Sequence, residues 1–174
     1  AKQKLVSPEA VTLSKLDSKF CLRKCREKDA QRIAEIYREV FLSYPFPIRD
    51  PSYIRETMNS HVDYFGIEVD NCLIALSSAD KDMTNRNVEM TDFAILPEWR
   101  GYGLAKHLLA QMEDSIQHQS IHTAYTIARG TSVGMNITFA RSGYQYGGRL
   151  VNNTNISGRM ESMNVWYKSI QRTS

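Results

Sequence analysis

One stretch limits the folds open to this chain more than any other: NVEMTDFAILPEWRGYGLAKHLLAQMEDSI, from Asn87 to Ile116. Residues Asn87 to Leu96 alternate as a strand does, with Glu89, Thr91 and Phe93 on one face and Met90, Asp92 and Ala94 on the other. Pro97 ends the pattern. Arg100, Gly101 and Gly103 follow at once, and an amphipathic helix begins, with Leu104, Leu108, Leu109, Met112 and Ile116 on one stripe. A strand must therefore pass through a glycine turn straight into a helix.

The flanking segments say what that unit sits in. FCLRKC, Phe20 to Cys25, reads as a short strand. Asp29 is placed to cap a helix whose apolar positions are Ile33, Ile36, Tyr37, Val40 and Phe41. An aromatic and proline-rich connection, SYPFPIRDPSYI, ends in Asp50-Pro51, a cap and first position for a second short helix. Strands near 62–69 and 72–79 are joined at Asp70-Asn71, residues that tolerate positive φ in a tight hairpin. Asp80 to Arg86 reads as a polar hairpin loop. After the central helix come a strand at His122 to Ala128, a helix over about 133–142 closed by Gly143, and strands near 144–151 and 161–167 around an asparagine-rich loop. The order is β-α-α-β-β-β-α-β-α-β-β. It predicts an α/β (α+β) domain with a mixed, mostly antiparallel sheet of about seven strands flanked by about four helices.

The length of 174 residues suits one domain, expected over 20–174, with residues 1–19 as a loosely held arm. No apolar run approaches a membrane span, and the N-terminus lacks a secretory signal pattern. Ala1 in place of Met is compatible with a processed chain or a portion of a longer one. Cys21, Cys25 and Cys72 are an odd set without ligand spacing, so neither a disulfide framework nor a metal is expected, and a cytoplasmic setting fits. Cys21 and Cys25 read as small buried side chains near a strand end. His61, His107, His118 and His122 lack metal spacing and read as surface or strand residues. The net charge of +3 is scattered, which argues against a nucleic-acid partner.

The glycine turn carries the first chemical clue. Helix-start N–H groups have no intrahelical partner, and glycines let an anion reach the bare backbone. A phosphate or pyrophosphate is the expected ligand, with Arg100 adding charge. The phosphate-binding P-loop sequence is absent. The third glycine of a dinucleotide fingerprint is missing, since Gly101-x-Gly103 continues to Lys106. Alone, the turn is equally readable as an ordinary strand-to-helix connection.

Arg100-x-x-Gly103-x-Ala105 after a strand ending in Pro97 resembles the acyl-CoA signature of the GNAT N-acetyltransferases. Asn136 followed by FARSGY, Phe139 to Tyr144, resembles that family's second motif, and the element order agrees from about 20 to 168. SYPFPIRDPSYI, EMTDFAILPEWRGYGLA, TAYTIARGTSVGMNITFARSGY and NNTNISGRMESMNVWYK are similar to segments of the β-lysine N6-acetyltransferases within it. That resemblance implies acetyl transfer from acetyl-CoA to the N6 amine of β-lysine, in compatible-solute synthesis.

It also implies roles. Phe93 and Ile95 would pair with the pantetheine arm. N–H groups near Ala94 and Ile95 would receive the oxyanion. Arg100, Gly101, Tyr102, Gly103, Leu104 and Ala105 would hold the pyrophosphate. Asn136 would bond the pantetheine amides or thiol. An alkylammonium must shed a proton before attack, and Glu89 is the first candidate base, with Asp92 second, as base or as a partner for a substrate ammonium. The position at which relatives carry a tyrosine acid is Phe139. Tyr144, Tyr146 or water would have to replace it. For the acceptor, Arg129 and Arg149 are candidates for its carboxylate, Tyr44 and Phe46 for the channel wall, and Glu161, Asn152, Asn153 and Asn155 for the far hairpin. The expected partner is a small-molecule amine, with no nucleic acid, no membrane, no metal, and a homodimer left open. Two other readings stand beside this one: acetylation of another small or protein amine, and a non-catalytic acyl-CoA sensor.

Overall fold

The computed structural model describes residues 13–156 and 158–170. Its strands are β1 (Cys21–Lys24), β2 (Val62–Val69), β3 (Cys72–Asp82), β4 (Asn87–Ile95), β5 (Thr123–Arg129), β6 (Gln145–Ile156) and β7 (Arg159–Ser169). Its helices are α1 (Ala30–Val40), α2 (Pro51–Met58), α3 (Leu104–Gln117) and α4 (Val133–Arg141). One sheet runs β1-β2-β3-β4-β5-β7-β6, and every neighbouring pair is antiparallel except β4 with β5. The expected fold class and element order are those observed. No helix among the described residues is long and apolar enough to cross a membrane.

Local chemistry explains most of the boundaries. Asp70 and Asn71 both take positive φ, 50° and 61°, as the two-residue turn between β2 and β3 demands. Asp50 accepts from the Ser52 N–H and Pro51 opens α2. Gly143 adopts φ 85° just past α4. The α3 stripe, Leu104, Leu108, Leu109, Met112 and Ile116, is wholly buried against the sheet.

Several expectations fail for physical reasons. Asp29 is the N-cap residue of α1, but its side chain makes no capping bond to that helix. Its carboxylate accepts from the Arg26 N–H in a preceding 3-10 turn and from Arg23, which also binds Glu68. Phe41 is the C-cap residue of α1, not part of it. Polar residues 80–82 extend β3 because they pair across its ladder, and β6 runs on through the asparagine run, where Asn155 pairs with Met160 while Asn152, at φ 46°, and Asn153 lie in a bulge. His107 is buried within α3, and of the paired cysteines only Cys25 is buried, beneath Gly66, while Cys21 is exposed. Residues 1–12 of the expected arm lie outside the described residues. Within its described part, Lys106 donates to Ser14 Oγ at 2.7 Å and Leu16 packs against the core.

Candidate active site

The sheet opens where β4 meets β5. Their parallel pairing covers only Asn87–Thr123, Val88–Ala124 and Glu89–Tyr125. Beyond Glu89 the two strands diverge, and β5 pairs only with β7. Leu96 N–H bonds across to Ile74 O, so antiparallel alternation turns the N–H and C=O of Ile95 to the opposite edge, toward the opening. A strand edge is therefore bare inside the molecule.

A bulge in β4 arranges the side chains there. Ser78 pairs with Thr91, but Leu76 pairs with Ala94. Ser78 and Leu76 are two apart on β3 and share a face, so Thr91 and Ala94 share one as well, although three residues separate them. Asp92 takes φ 52° in the bulge. The alternation read from the sequence is broken at this point, and Asp92 lies with Glu89 rather than opposite it. Its carboxylate accepts from the Tyr44 hydroxyl and from Ser78 Oγ at 2.6 Å. Both carboxylates border a cavity of about 450 Å³ that runs into the opening between β4 and β5.

Burial in this setting raises both acids. Glu89 is pushed up to about 7, chiefly by loss of solvent and secondly by the Asp92 and Asp80 charges. It has no hydrogen-bond partner among the described residues. Asp92 is raised by deeper burial, and the hydroxyls of Ser78, Tyr44 and Thr91 act against that rise. A free carboxylate near neutrality beside a spent one is the arrangement that general-base work requires. Apart from Thr91, Thr126, Arg129, Ser132, Asn153 and Thr154, the remaining walls are aromatic and apolar. Tyr44, Phe46, Phe93, Met135 and Phe139 are among them, and Phe93 meets Phe139 edge-on at 5.7 Å between ring centroids.

The glycine turn stands at the head of α3. Gly101 and Gly103 have φ 89° and 69°, Gly103 is the N-cap residue, and no side chain caps the helix. Arg100 donates from Nε to Ile95 O at 3.3 Å, which ties the turn to the bare strand edge. Tyr102 is half exposed, with its ring under Lys19 Nζ at 4.4 Å and beside Phe20 and Trp99. A second cavity, of about 490 Å³, runs from Gly103, Ala105 and Lys106 to Ile137 and Arg141 of α4. The uncapped helix start, the missing Cβ atoms and the basic side chains fit a diphosphate, with a groove beyond for the rest of a nucleotide ester.

Other expected site residues are placed differently. The Asn136 amide donates to Arg129 O and Ser132 O and accepts from Asn164 Nδ2 and Trp166 Nε1, so all four of its hydrogen-bonding positions are occupied within the protein. It positions α4 against β7 and does not reach into the opening. Tyr144 is buried against Phe139 beside Glu113, its hydroxyl raised by burial and by that charge, and it does not line the cavity. Tyr146 is exposed and packs on Trp166. Neither stands in the cavity lining. Arg129 lines the cavity and is paired with Glu161, whereas Arg149 is exposed and stands outside the lining, near Gly130. Asn153 borders the cavity, while Asn152 and Asn155 do not. Sequence reasoning missed Ser78 as a donor to Asp92, although two serines inside an otherwise apolar strand were a visible signal. It also missed Asp80 and Thr91 beside the carboxylates.

A parallel pair that splays beside a bulged strand, with a glycine turn feeding a helix, defines an acyl-CoA N-acetyltransferase fold. Residues 30–143 match the sequence profile described as the acetyltransferase (GNAT) family, and the chain belongs to that family. It is 50% identical over 155 residues to the β-lysine N(6)-acetyltransferase of Methanococcus maripaludis, covering 89% of this chain and 57% of that protein. It is 38% identical to the enzyme of the same name from Methanosarcina mazei, covering 90% of this chain and 58% of that one. The chain thus spans a little over half the length of these curated relatives. The spermidine N-acetyltransferase of Vibrio cholerae, solved in complex with CoA and spermine, shares the fold at a TM-score of 0.72 and 20% identity, covering 90% of this chain and 98% of that one.

Proposed function

We propose that this chain transfers the acetyl group of acetyl-CoA to the N6 amine of β-lysine by direct attack, with Glu89 as the base. The observation that carries the reading is Glu89 itself: an unpartnered carboxylate pushed up to about 7, lining the cavity where β4 and β5 part. The identity to β-lysine N(6)-acetyltransferases supports the choice of acceptor.

Acetyl-CoA supplies the acetyl group as a thioester. In this reading Arg100 to Ala105 hold its diphosphate, and the bare edge at Phe93 and Ile95 holds the pantetheine arm. The Ile95 N–H, turned to that edge, meets the oxygen on which charge develops. Glu89 removes a proton from the acceptor ammonium, the nitrogen bonds to the thioester carbon, and the carbon–sulfur bond breaks. The attacking nitrogen then sheds its second proton, which passes through water to the departing thiolate, because Phe139 offers no hydroxyl and a thiol of ordinary acidity needs little help. Tyr44 and Phe46 wall the acceptor channel. The domain is taken as 20–174, and the setting implied is compatible-solute synthesis in the cytoplasm, with a homodimer an open assembly.

The test is thiol release from acetyl-CoA over β-lysine, α-lysine, spermidine and a lysine peptide, for the native chain and Glu89→Gln. The reading expects β-lysine to lead, and the variant to lose about 100-fold or more in kcat with CoA affinity unchanged. A lead for another amine overturns the acceptor. Unchanged turnover in the variant removes Glu89 from the mechanism.

A further inference from the structure

The main cavity has charges of opposite sign at its two ends. Its charged lining residues are Glu89 and Asp92 on β4 and Arg129 at the C-terminal end of β5. Glu89 is level with Tyr125, and Arg129 lies four residues further along the diverging strand, roughly 13 Å at the usual rise of a strand. Between them the walls are mainly apolar, with Ile127, Met135, Phe139 and Met163 among them, and Thr126 and Ser132 add hydroxyls. A ligand that fills this space carries a cation near β4, methylenes in the middle, and something other than a bare cation at Arg129.

Arg129 is itself held. Its Nε and Nη2 donate to the two Glu161 oxygens at 2.7 and 2.5 Å, and Thr131 Oγ1 approaches the same carboxylate at 3.5 Å. The fork is thereby fixed in one orientation, while Nη1 has no acceptor among the described residues. Glu161 stands behind the lining and faces Thr154 in the β6–β7 ladder, and Thr154 borders the cavity. A neutral arginine–carboxylate pair thus stands at the mouth of a cavity whose inner end is acidic.

We infer that the Arg129–Glu161 pair is the receptor for the zwitterionic head of the acceptor, with Arg129 Nη1 taking its carboxylate and Glu161 its head ammonium. The inference rests on the amine-acetylating reading above and adds the residues that choose the amine. A head bearing both charges meets the pair with each charge matched. A diamine brings only a cation, which the guanidinium repels. A carboxylate without its neighbouring ammonium leaves Glu161 opposed to a like charge.

Three acceptors separate these cases: β-lysine, cadaverine, which has no carboxylate, and ε-aminocaproate, which has no head ammonium. Arg129→Gln is expected to lower kcat/KM for β-lysine about 30-fold, through the KM for the amine, with cadaverine changed less than about threefold. The KM for acetyl-CoA stays where it was. Glu161→Gln is expected to erase the preference for β-lysine over ε-aminocaproate. An equal loss on all three acceptors, or none on β-lysine, overturns the inference and leaves the pair a structural tie. Calorimetric titration of β-lysine does not need turnover. Binding that is abolished in Arg129→Gln, in a native chain that acetylates nothing, keeps the receptor and discards the acetyl transfer. Binding unaffected by the variant discards the receptor alone.

Discussion

Tyr44 donates its hydroxyl to the carboxylate of Asp92, joining the connection after α1 to the bulge of β4. Ser78 donates to the same group from the neighbouring strand. Burial raises this acid, and the hydroxyls of Ser78, Tyr44 and Thr91 act against the rise. Tyr44→Phe removes one of them. The expected cost is about 1–2 kcal/mol of stability, read by denaturant unfolding. Asp92 also gains a proton more readily, which withdraws a negative neighbour from Glu89. The acid limb of the kcat/KM profile should therefore move to lower pH in Tyr44→Phe. A limb that stays in place would show that Asp92 does not influence the base.

The native profile has its own requirement. Glu89 must be ionised to accept a proton, so kcat/KM for the amine should climb with pH through about 7, where this group titrates. Glu89→Gln should lose that limb and keep only the dependence that belongs to the acceptor amine. If the limb survives in the variant, another group is responsible, and Asp92 is the first to examine.

The same shift makes Glu89 a burden on folding. Its folded value of about 7 lies above the ordinary 4.5, so the folded protein binds this proton more tightly than the unfolded chain does. Folding is unpenalised below about 4.5, loses stability as pH rises from there to about 7, and carries the full penalty above that. Discounted for remaining solvent contact, the penalty is on the order of 2 kcal/mol. Glu89→Gln should melt roughly 5 °C higher than the native chain near pH 8 and at the same temperature near pH 4. A variant that melts lower at alkaline pH would contradict the burial of this carboxylate.

How these features relate to the sequence differs from one residue to the next. The element order follows from local patterns that the structure keeps: Asp70-Asn71 at a hairpin, Asp50-Pro51 at a helix start, Gly143 at a helix end, and the α3 stripe. The bulge left no such trace. Glu89 to Ile95 alternates without a break on paper, and Asp92 at positive φ is permitted there rather than announced. The roles of Asn136 and Tyr144 were set by residues far along the chain, Asn164 and Trp166 for one and Glu113 for the other, and no local motif encodes those partners. The asparagines of β6 show a divided balance, since Asn155 joins the ladder with β7 while Asn152 keeps a positive φ in the bulge beside it. Glu89, Arg129 and the glycine turn were legible as candidates because each lies on or beside a regular element, and Tyr44 because an aromatic run stands out in a connection; the structure sets Glu89, Tyr44 and Arg129 around one cavity.

The glycine turn permits a test that separates backbone strain from ligand contact. Gly101 and Gly103 sit at φ 89° and 69°, where a Cβ costs about 1–2 kcal/mol. At Gly101 that Cβ would meet nothing within 4 Å, and at Gly103 it would come within 3.2 Å of the flexible Lys106 Cε. Alanine at either position is therefore tolerated by packing and opposed by conformation. The turn relaxes by moving the first amides of α3, which are the groups proposed to hold the diphosphate. Each variant should weaken CoA binding about 10-fold by calorimetry, while lowering stability by about 1 kcal/mol. Gly158, at φ 79° in the β6–β7 turn with open space around it, is the control. Gly158→Ala should lose similar stability and bind CoA as the native chain does. If all three variants weaken binding alike, the effect is a general loss of folding and the turn has no special hold on the cofactor; if Gly101→Ala and Gly103→Ala bind normally, the diphosphate lies elsewhere.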